Sequence, residues 1–197
     1  MSQPDFKAAR RYALTRLENE LPEWLTYHAI HHTRDDVVPA TRRLAEMSGV
    51  AGEDMMLALT AAWFHDIGFV EDYSKNEPIA VRIAREVLPD MDYTPEHLEK
   101  IDGMIMATQL PQRPCNLLQE IIADADMDSL GREDFFTVQD SLRVELAKVG
   151  ATFDADAWYQ NELNFMLGHQ YFTEAARKIR DRQKMDNIQV FCDLLEA

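Results

Sequence analysis

Apolar residues recur along most of the chain at intervals of three to five, the period of a helix with one buried face. Over residues 4–20 the inward positions are Phe6, Ala9, Tyr12, Ala13, Leu17 and Leu21. A second segment follows Pro22 and reads as helical to about Met47, where Ser48-Gly49 closes it. Residues 53–67 open on Glu53 and Asp54, charges that favour a helix start, and end at Gly68, a residue suited to a helix stop. Segment 76–88 stops before Pro89, and Thr94-Pro95 supplies a cap and first-turn pair for a helix to about Thr108. Further helices are expected over 114–123, 133–148, 155–168 and 173–195, the last opening on Thr173 and an early acid, Glu174. No alternating run of β-branched residues exceeds a few positions, so the expected fold class is all-α.

Length and composition narrow the picture. The 197 residues, 46% of them hydrophobic, suit one domain over 1–197, with 150–197 as a helical extension. The first twenty residues lack the apolar centre of a signal peptide, and the longest nearly apolar run, MMLALTAAWF (55–64), is too short to span a bilayer. Cys115 and Cys192 are too few for a disulfide framework, so a reducing cytoplasm is the expected location, with no membrane partner. The net charge of −15, from 35 acidic and 20 basic residues, argues against binding long nucleic acid. A small phosphorylated ligand stays compatible, because a bound cation or a few basic groups can reverse the local field.

Three polar clusters interrupt the apolar pattern. In YHAIHHTRDD, His28 and His32 are four apart and share a helix face, which Asp36 continues, whereas His31 points elsewhere. In AWFHDIGF, His65 and Asp66 close a segment that is apolar nearly all round. A buried, unpaired aspartate there is costly. A histidine on the helix dipole, an aspartate cap, a local ion pair or a metal each account for the pair. A divalent cation would neutralise Asp66 and take the His65 imidazole as a neutral ligand. The third cluster, IIADADMDSLG, lacks the glycine and glutamate of a calcium-binding EF-hand loop, and alone it reads as a solvated turn.

In order, these clusters give His, then His-Asp 33 residues on, then Asp after 60 more. That arrangement resembles the HD-domain superfamily of metal-dependent phosphohydrolases, over roughly residues 25–135. The resemblance implies an all-helical bundle in which His32, His65, Asp66 and Asp126 hold one divalent ion: manganese, iron, cobalt, nickel, zinc or magnesium. Asp126 is preferred to Asp124 because it sits between Ala125 and Met127. His28 matches the histidine that protonates the leaving oxygen in phosphodiesterases of the superfamily, and Asp66 doubles as a proton acceptor. Arg34 and Lys75 flank the ligand segments and are candidates to hold phosphate. Relatives often carry His-Glu where this chain has Asn76-Glu77, and His97 is expected on an exposed first turn, so a second metal is not expected.

The implied activity is hydrolysis of a phosphomonoester or phosphodiester of a small molecule, a nucleotide above others. The competing classes are a metal-stabilised sensor without turnover and a di-iron oxygenase, which needs more histidines than the chain supplies. Near the C-terminus, Phe165, Leu167, Tyr171 and Phe172 suit a core or a homodimer interface, with His169 among them as a structural histidine. Arg177, Lys178, Arg180 and Arg182 form a basic stretch that suits a solvated face or a phosphate contact.

Overall fold

Asp5 starts the first helix, its carboxylate accepting the N–H of Ala8 at 2.9 Å. In the computed structural model, which describes residues 3–196, α1 (Phe6–Glu20) then turns Ala9, Ala13 and Leu17 inward. Met1, Ser2 and Ala197, the ends of the 1–197 domain reading, lie outside the described residues. The helix expected from Pro22 onward is different. Residues 22–29 are irregular, a π-helical segment spans His32–Val37, and α2 occupies only Val38–Met47. The cause is tertiary: Glu145 accepts the backbone N–H groups of Tyr27 and His28, and Thr26 donates to the carbonyl of Ser141. Those donors are therefore lost to a local helix. Ser48-Gly49 does close α2: Gly49 adopts φ 75°, and Gly49 and Val50 donate to Glu46 and Ala45 in a Schellman stop.

Helix α3 (Gly52–Phe64) is buried without a break from Leu57 to Phe64 and packs against α1 and α2. Its other neighbours are α4 (Asn76–Val87), α5 (Pro95–Met106) and α6 (Leu117–Asp126). A helix apolar on every side needs partners on every side, and these five provide them. Thr94 caps α5 as expected, but His97 is not exposed. It is buried, its N–H donates to Thr94 Oγ1, and its Nδ1 accepts the N–H of Thr94. Here histidine takes the place that glutamate or glutamine fills in a capping box.

The chain ends in α7 (Phe135–Lys148), α8 (Ala155–Gly168) and α9 (Glu174–Glu196), with Thr173 capping α9 as expected. There is no strand among the described residues. The last helix crosses the turn Asp128–Gly131 closely: a side chain at Gly131 would meet the Arg180 carbonyl at 2.5 Å. Arg180 also grips Asp128 with two hydrogen bonds of 2.8 and 2.7 Å, while Arg177 donates to the carbonyls of Tyr171 and Phe172. Half of the basic stretch is thus structural, and Lys178 and Arg182 stay exposed. Phe135 and Phe136 meet Phe191 edge-on at 5.8 and 5.2 Å, and Tyr159 joins from α8. His169 is half-buried against Tyr171, its two ring nitrogens covered and without partners, and burial, with Lys184 nearby, pushes its pKa down to about 4. Tyr171 is core, Phe165 half-buried and Leu167 exposed. Among the described residues, no helix is long and apolar enough to cross a membrane.

This packing makes α9 integral to the core. Phe191→Ala is expected to lower stability by about 3–5 kcal/mol in urea titration, the range for emptying a buried aromatic position.

Candidate metal centre

Helix α3 ends so as to aim two adjacent residues at one point. His65 keeps helical dihedrals (φ −57°, ψ −36°), whereas Asp66 leaves them (φ −106°, ψ 7°). Successive residues on an unbroken helix diverge by about 100°, and the break at Asp66 cancels that divergence. Asp66 Oδ2 lies 3.2 Å from His65 Nε2. His32, opening the π-helical segment, places Nε2 3.5 Å from Asp66 Oδ2 and 3.1 Å from Asp126 Oδ1. Asp126, the last residue of α6, stands 3.6 Å from His65 Nε2. Three separate stretches of chain therefore bring all four residues together, with the donor atoms of His32, His65 and Asp66 within 4.8 Å of one another.

The cluster is short of positive charge. His65 is fully buried, and its Nδ1–H donates to the Ala62 carbonyl at 2.8 Å. That bond leaves Nε2 facing two carboxylates. Neither His65 Nε2 nor Asp66 Oδ2 has a hydrogen-bond partner, although both atoms are buried. Burial opposes charge on His65, yet Asp66 and Asp126 raise its pKa well above the ordinary value. Burial likewise opposes charge on the two carboxyls, yet the imidazoles of His65 and His32 hold both below the usual carboxylate range. The C-terminal ends of α3 and α6, the negative ends of their helix dipoles, converge here as well. Two neutral imidazole nitrogens and two carboxylate oxygens form a donor set that fits a divalent cation.

Gly68 and Asn76 hold this geometry. Gly68 lies beyond the end of α3, and its role is proximity: a Cβ there would sit 2.0 Å from the Asn76 carbonyl oxygen. The close approach lets Asn76 Nδ2 donate to Asp66 Oδ1 and to the His65 carbonyl, both at 3.0 Å. Asp66 is thereby oriented through one oxygen while the other faces the histidines.

Asp124 faces away from this cluster. Its carboxylate accepts the N–H groups of Phe172 and Thr173 at 2.8 Å and the Thr173 hydroxyl at 2.7 Å, seating the start of α9. Burial nonetheless pushes its pKa up. Asp36 also turns elsewhere, pairing with Arg132. Arg34 is exposed and engaged by Asp35 at 2.7 and 2.9 Å, and Lys75 is exposed on a short turn. Neither lines the cavity beside the cluster.

His28 stands next to the cluster, its ring centre 5.9 Å from that of His32. Its Nδ1–H donates to Glu145 Oε1 at 2.5 Å, and Tyr73 donates to the same oxygen at 3.2 Å. Glu145 is fully buried on α7. Burial works against charge on His28, but the Glu145 hydrogen bond and the nearby carboxylates raise its pKa overall. Both His28 and Asp66 open onto a cavity of about 510 Å³, which Gln139 and Leu142 of α7 and Glu162 and Phe165 of α8 also line. Glu145, Gln139 and Glu162 escape a motif-based reading. Their signal is subtler: each is a polar residue on the inward stripe of an amphipathic helix, as in Phe135-Gln139-Leu142-Glu145.

Gly68→Ala is expected to cost about 1–3 kcal/mol of stability through overpacking against Asn76, measured by urea denaturation. The same substitution should weaken retention of a divalent ion, read by elemental analysis after dialysis. Asp124→Ala is expected to destabilise by a similar roughly 1–3 kcal/mol, since it strands buried donors, while leaving that retention intact.

No family model matches the chain, and no curated protein matches it. Solved structures do. One is a predicted HD superfamily hydrolase from an uncultured Thermotogales bacterium, 19% identical, covering 94% of this chain and 91% of its own, with a TM-score of 0.62. Another, from Lactobacillus plantarum, is 18% identical, covers 95% of both chains and has a TM-score of 0.67. The likeness extends well beyond residues 25–135, and with the helix order and the meeting of His32, His65, Asp66 and Asp126 it identifies this chain as having the all-α HD-domain fold.

Proposed function

We propose that the protein is a metal-dependent phosphoric ester hydrolase acting on a small phosphorylated molecule, with His32, His65, Asp66 and Asp126 holding one divalent cation. The observation that carries this reading is the buried, unpartnered pair His65 Nε2 and Asp66 Oδ2, set among like-facing donors with no basic residue to satisfy them. A divalent cation there supplies a Lewis acid for a phosphoryl oxygen and a bound water of lowered pKa. Manganese, iron, cobalt, nickel, zinc and magnesium all suit such a mixed donor set.

The remaining chemistry belongs to the chain. Asp66, held at one oxygen by Asn76, keeps its other oxygen toward the cluster, where it can accept a proton. His28, tied through Nδ1 to Glu145, is left with Nε2 to donate a proton to the departing oxygen. Glu145 fixes the tautomer and orientation of that ring, with Tyr73 restraining the same carboxylate oxygen. Asn76 spends its amide protons on Asp66 and His65, which supports a site built for one cation. No lysine or arginine lines the cavity, so substrate phosphate meets positive charge only from the cation and His28. That supply matches one phosphate group better than a chain of them.

Metal-stripped protein reloaded with single divalent ions is expected to hydrolyse p-nitrophenyl phosphate or its bis-ester with at least one ion. His65→Ala and Asp126→Ala should abolish that turnover, and His28→Asn should lower kcat by about 10²–10⁴-fold, the usual worth of a general acid. Absence of turnover with every ion, or equal turnover in wild type and His65→Ala, overturns the proposal.

A further inference from the structure

The cavity beside the cluster holds more negative charge than one divalent cation can offset. Asp66 and Asp126 would balance such an ion between them, but Glu77 and Glu162 line the same cavity. No lysine or arginine is among the described residues that line it, and the His28 ring is already paired with Glu145. Glu162 is the sharper case. It is only 8% exposed, on the stripe of α8 that also buries Trp158, Leu163 and Met166, and it makes neither a hydrogen bond nor an ion pair. Burying a carboxyl without a partner opposes folding, so its partner is to be sought in what the cavity receives. Around these acids the wall is polar and aromatic. Ser74, Thr108 and Gln109 supply neutral polar groups, and Tyr27, Phe69, Tyr73 and Phe165 supply ring surface. Aromatic faces carry the negative side of the ring quadrupole and attract cations.

We infer that the phosphate ester accepted here carries its own positive charge, an ammonium group on the alcohol, and that Glu162 receives that group, with Glu77 adding to the field. This rests on the hydrolase reading of the cavity and names the alcohol: an amino alcohol phosphorylated on oxygen. A phosphate dianion on a neutral alcohol, a sugar included, would add its repulsion to that of Glu77 and Glu162, with little water to screen it. A second phosphate would worsen that repulsion, and a hydrocarbon tail would leave Glu162 without a partner. An ammonium group removes both faults. It pairs with a carboxylate already in place and offsets one charge of the phosphate. Its N–H groups suit Glu162 as acceptor, and its charge suits the rings. Water then cleaves the ester to inorganic phosphate and the amino alcohol, whose oxygen takes the proton held by His28. The volume of about 510 Å³ accommodates a short aminoalkyl phosphate.

Glu162 gives the contact a signature of its own. Burial pushes its pKa up to about 7, with no hydrogen bond or ion pair to counter it. An ammonium beside it favours the charged form, so binding near pH 7 should expel up to roughly half a proton per site. Without ligand, a carboxyl whose pKa is raised by folding costs stability as pH climbs from the ordinary carboxylate range through about 7. Glu162→Gln should therefore have a higher Tm than wild type above pH 7, which keeps loss of binding distinct from loss of fold.

The test uses amines without phosphate and protein without added metal, so that recognition is read apart from catalysis. Ethanolamine and aminopropanol, with ethylene glycol and propanediol as neutral matches, are titrated calorimetrically into wild type, Glu162→Gln and Glu77→Gln near pH 7. The amines should bind wild type at least tenfold more tightly than the diols, with proton release read from the dependence of the heat on the buffer. Glu162→Gln should raise the amine Kd tenfold or more and abolish that release. Glu77→Gln, at a half-buried position, should raise the Kd by less. In turnover, aminopropyl phosphate should exceed hydroxypropyl phosphate in kcat/KM at least tenfold, and Glu162→Gln should lower that ratio at least tenfold. Hydrolysis of p-nitrophenyl phosphate with no preference for amines overturns this inference and leaves the hydrolase reading standing. So does equal amine binding by wild type and Glu162→Gln, or a second metal ion per chain that Glu162→Gln removes. Amine binding that depends on Glu162, without hydrolysis of any ester, upholds the pocket and overturns the hydrolase.

Discussion

Two carboxylates buried beside two imidazoles set the terms for the rest of the structure. Asp66 and Asp126 sit at the ends of helices whose carbonyls already make the region negative. The His65 ring spends its one certain proton on a backbone carbonyl. Positive charge must then enter from outside the chain, as protons or as a metal ion, for the cluster to be electrically tolerable in a dry interior. The surface makes no contrary demand: at a net charge of −15 the whole molecule attracts cations.

What surrounds the cluster is a set of close approaches that make such a concentration mechanically rigid. At Gly68 the start of α4 lies against the end of α3, and at Gly131 the last helix lies against the turn that follows α6. Asn76 and Asp124 then use those contacts, one to orient an aspartate inside the centre and the other to seat α9 just outside it. Neighbouring acids two residues apart thus have unrelated tasks. Asp124 answers to backbone donors, whereas Asp126 answers to imidazoles.

The sequence discloses these parts unevenly, for physical reasons. Helix α3 was legible because an uninterrupted apolar run admits few other structures, and the caps at Thr94 and Thr173 because their hydrogen bonds are local. The four clustered residues were legible through their motif order. The segment before His32 was not, since its N–H groups are taken by a residue far along the chain, and no local pattern encodes that. His97 misled for a related reason: a polar residue on a first turn suggests exposure, but its ring turns back to cap the helix and is covered. Glu145, Gln139 and Glu162 belong to no motif. They are visible only as polar residues on stripes that helical periodicity assigns to the interior.

Glu145 joins a backbone and a side chain across 117 residues, and that separation has a temporal consequence. The stretches that carry His32, His65, Asp66 and Asp126 are all synthesised before α7. A nascent chain can hold the four-residue cluster while the irregular stretch ahead of His32 still lacks the carboxylate that shapes it. His28 is the last of these side chains to be fixed, because its partner Glu145 arrives on α7, the helix that also contributes Gln139 and Leu142 to the cavity. The four-residue cluster and the histidine beside it are thus completed at different moments in the life of the polypeptide, in that order.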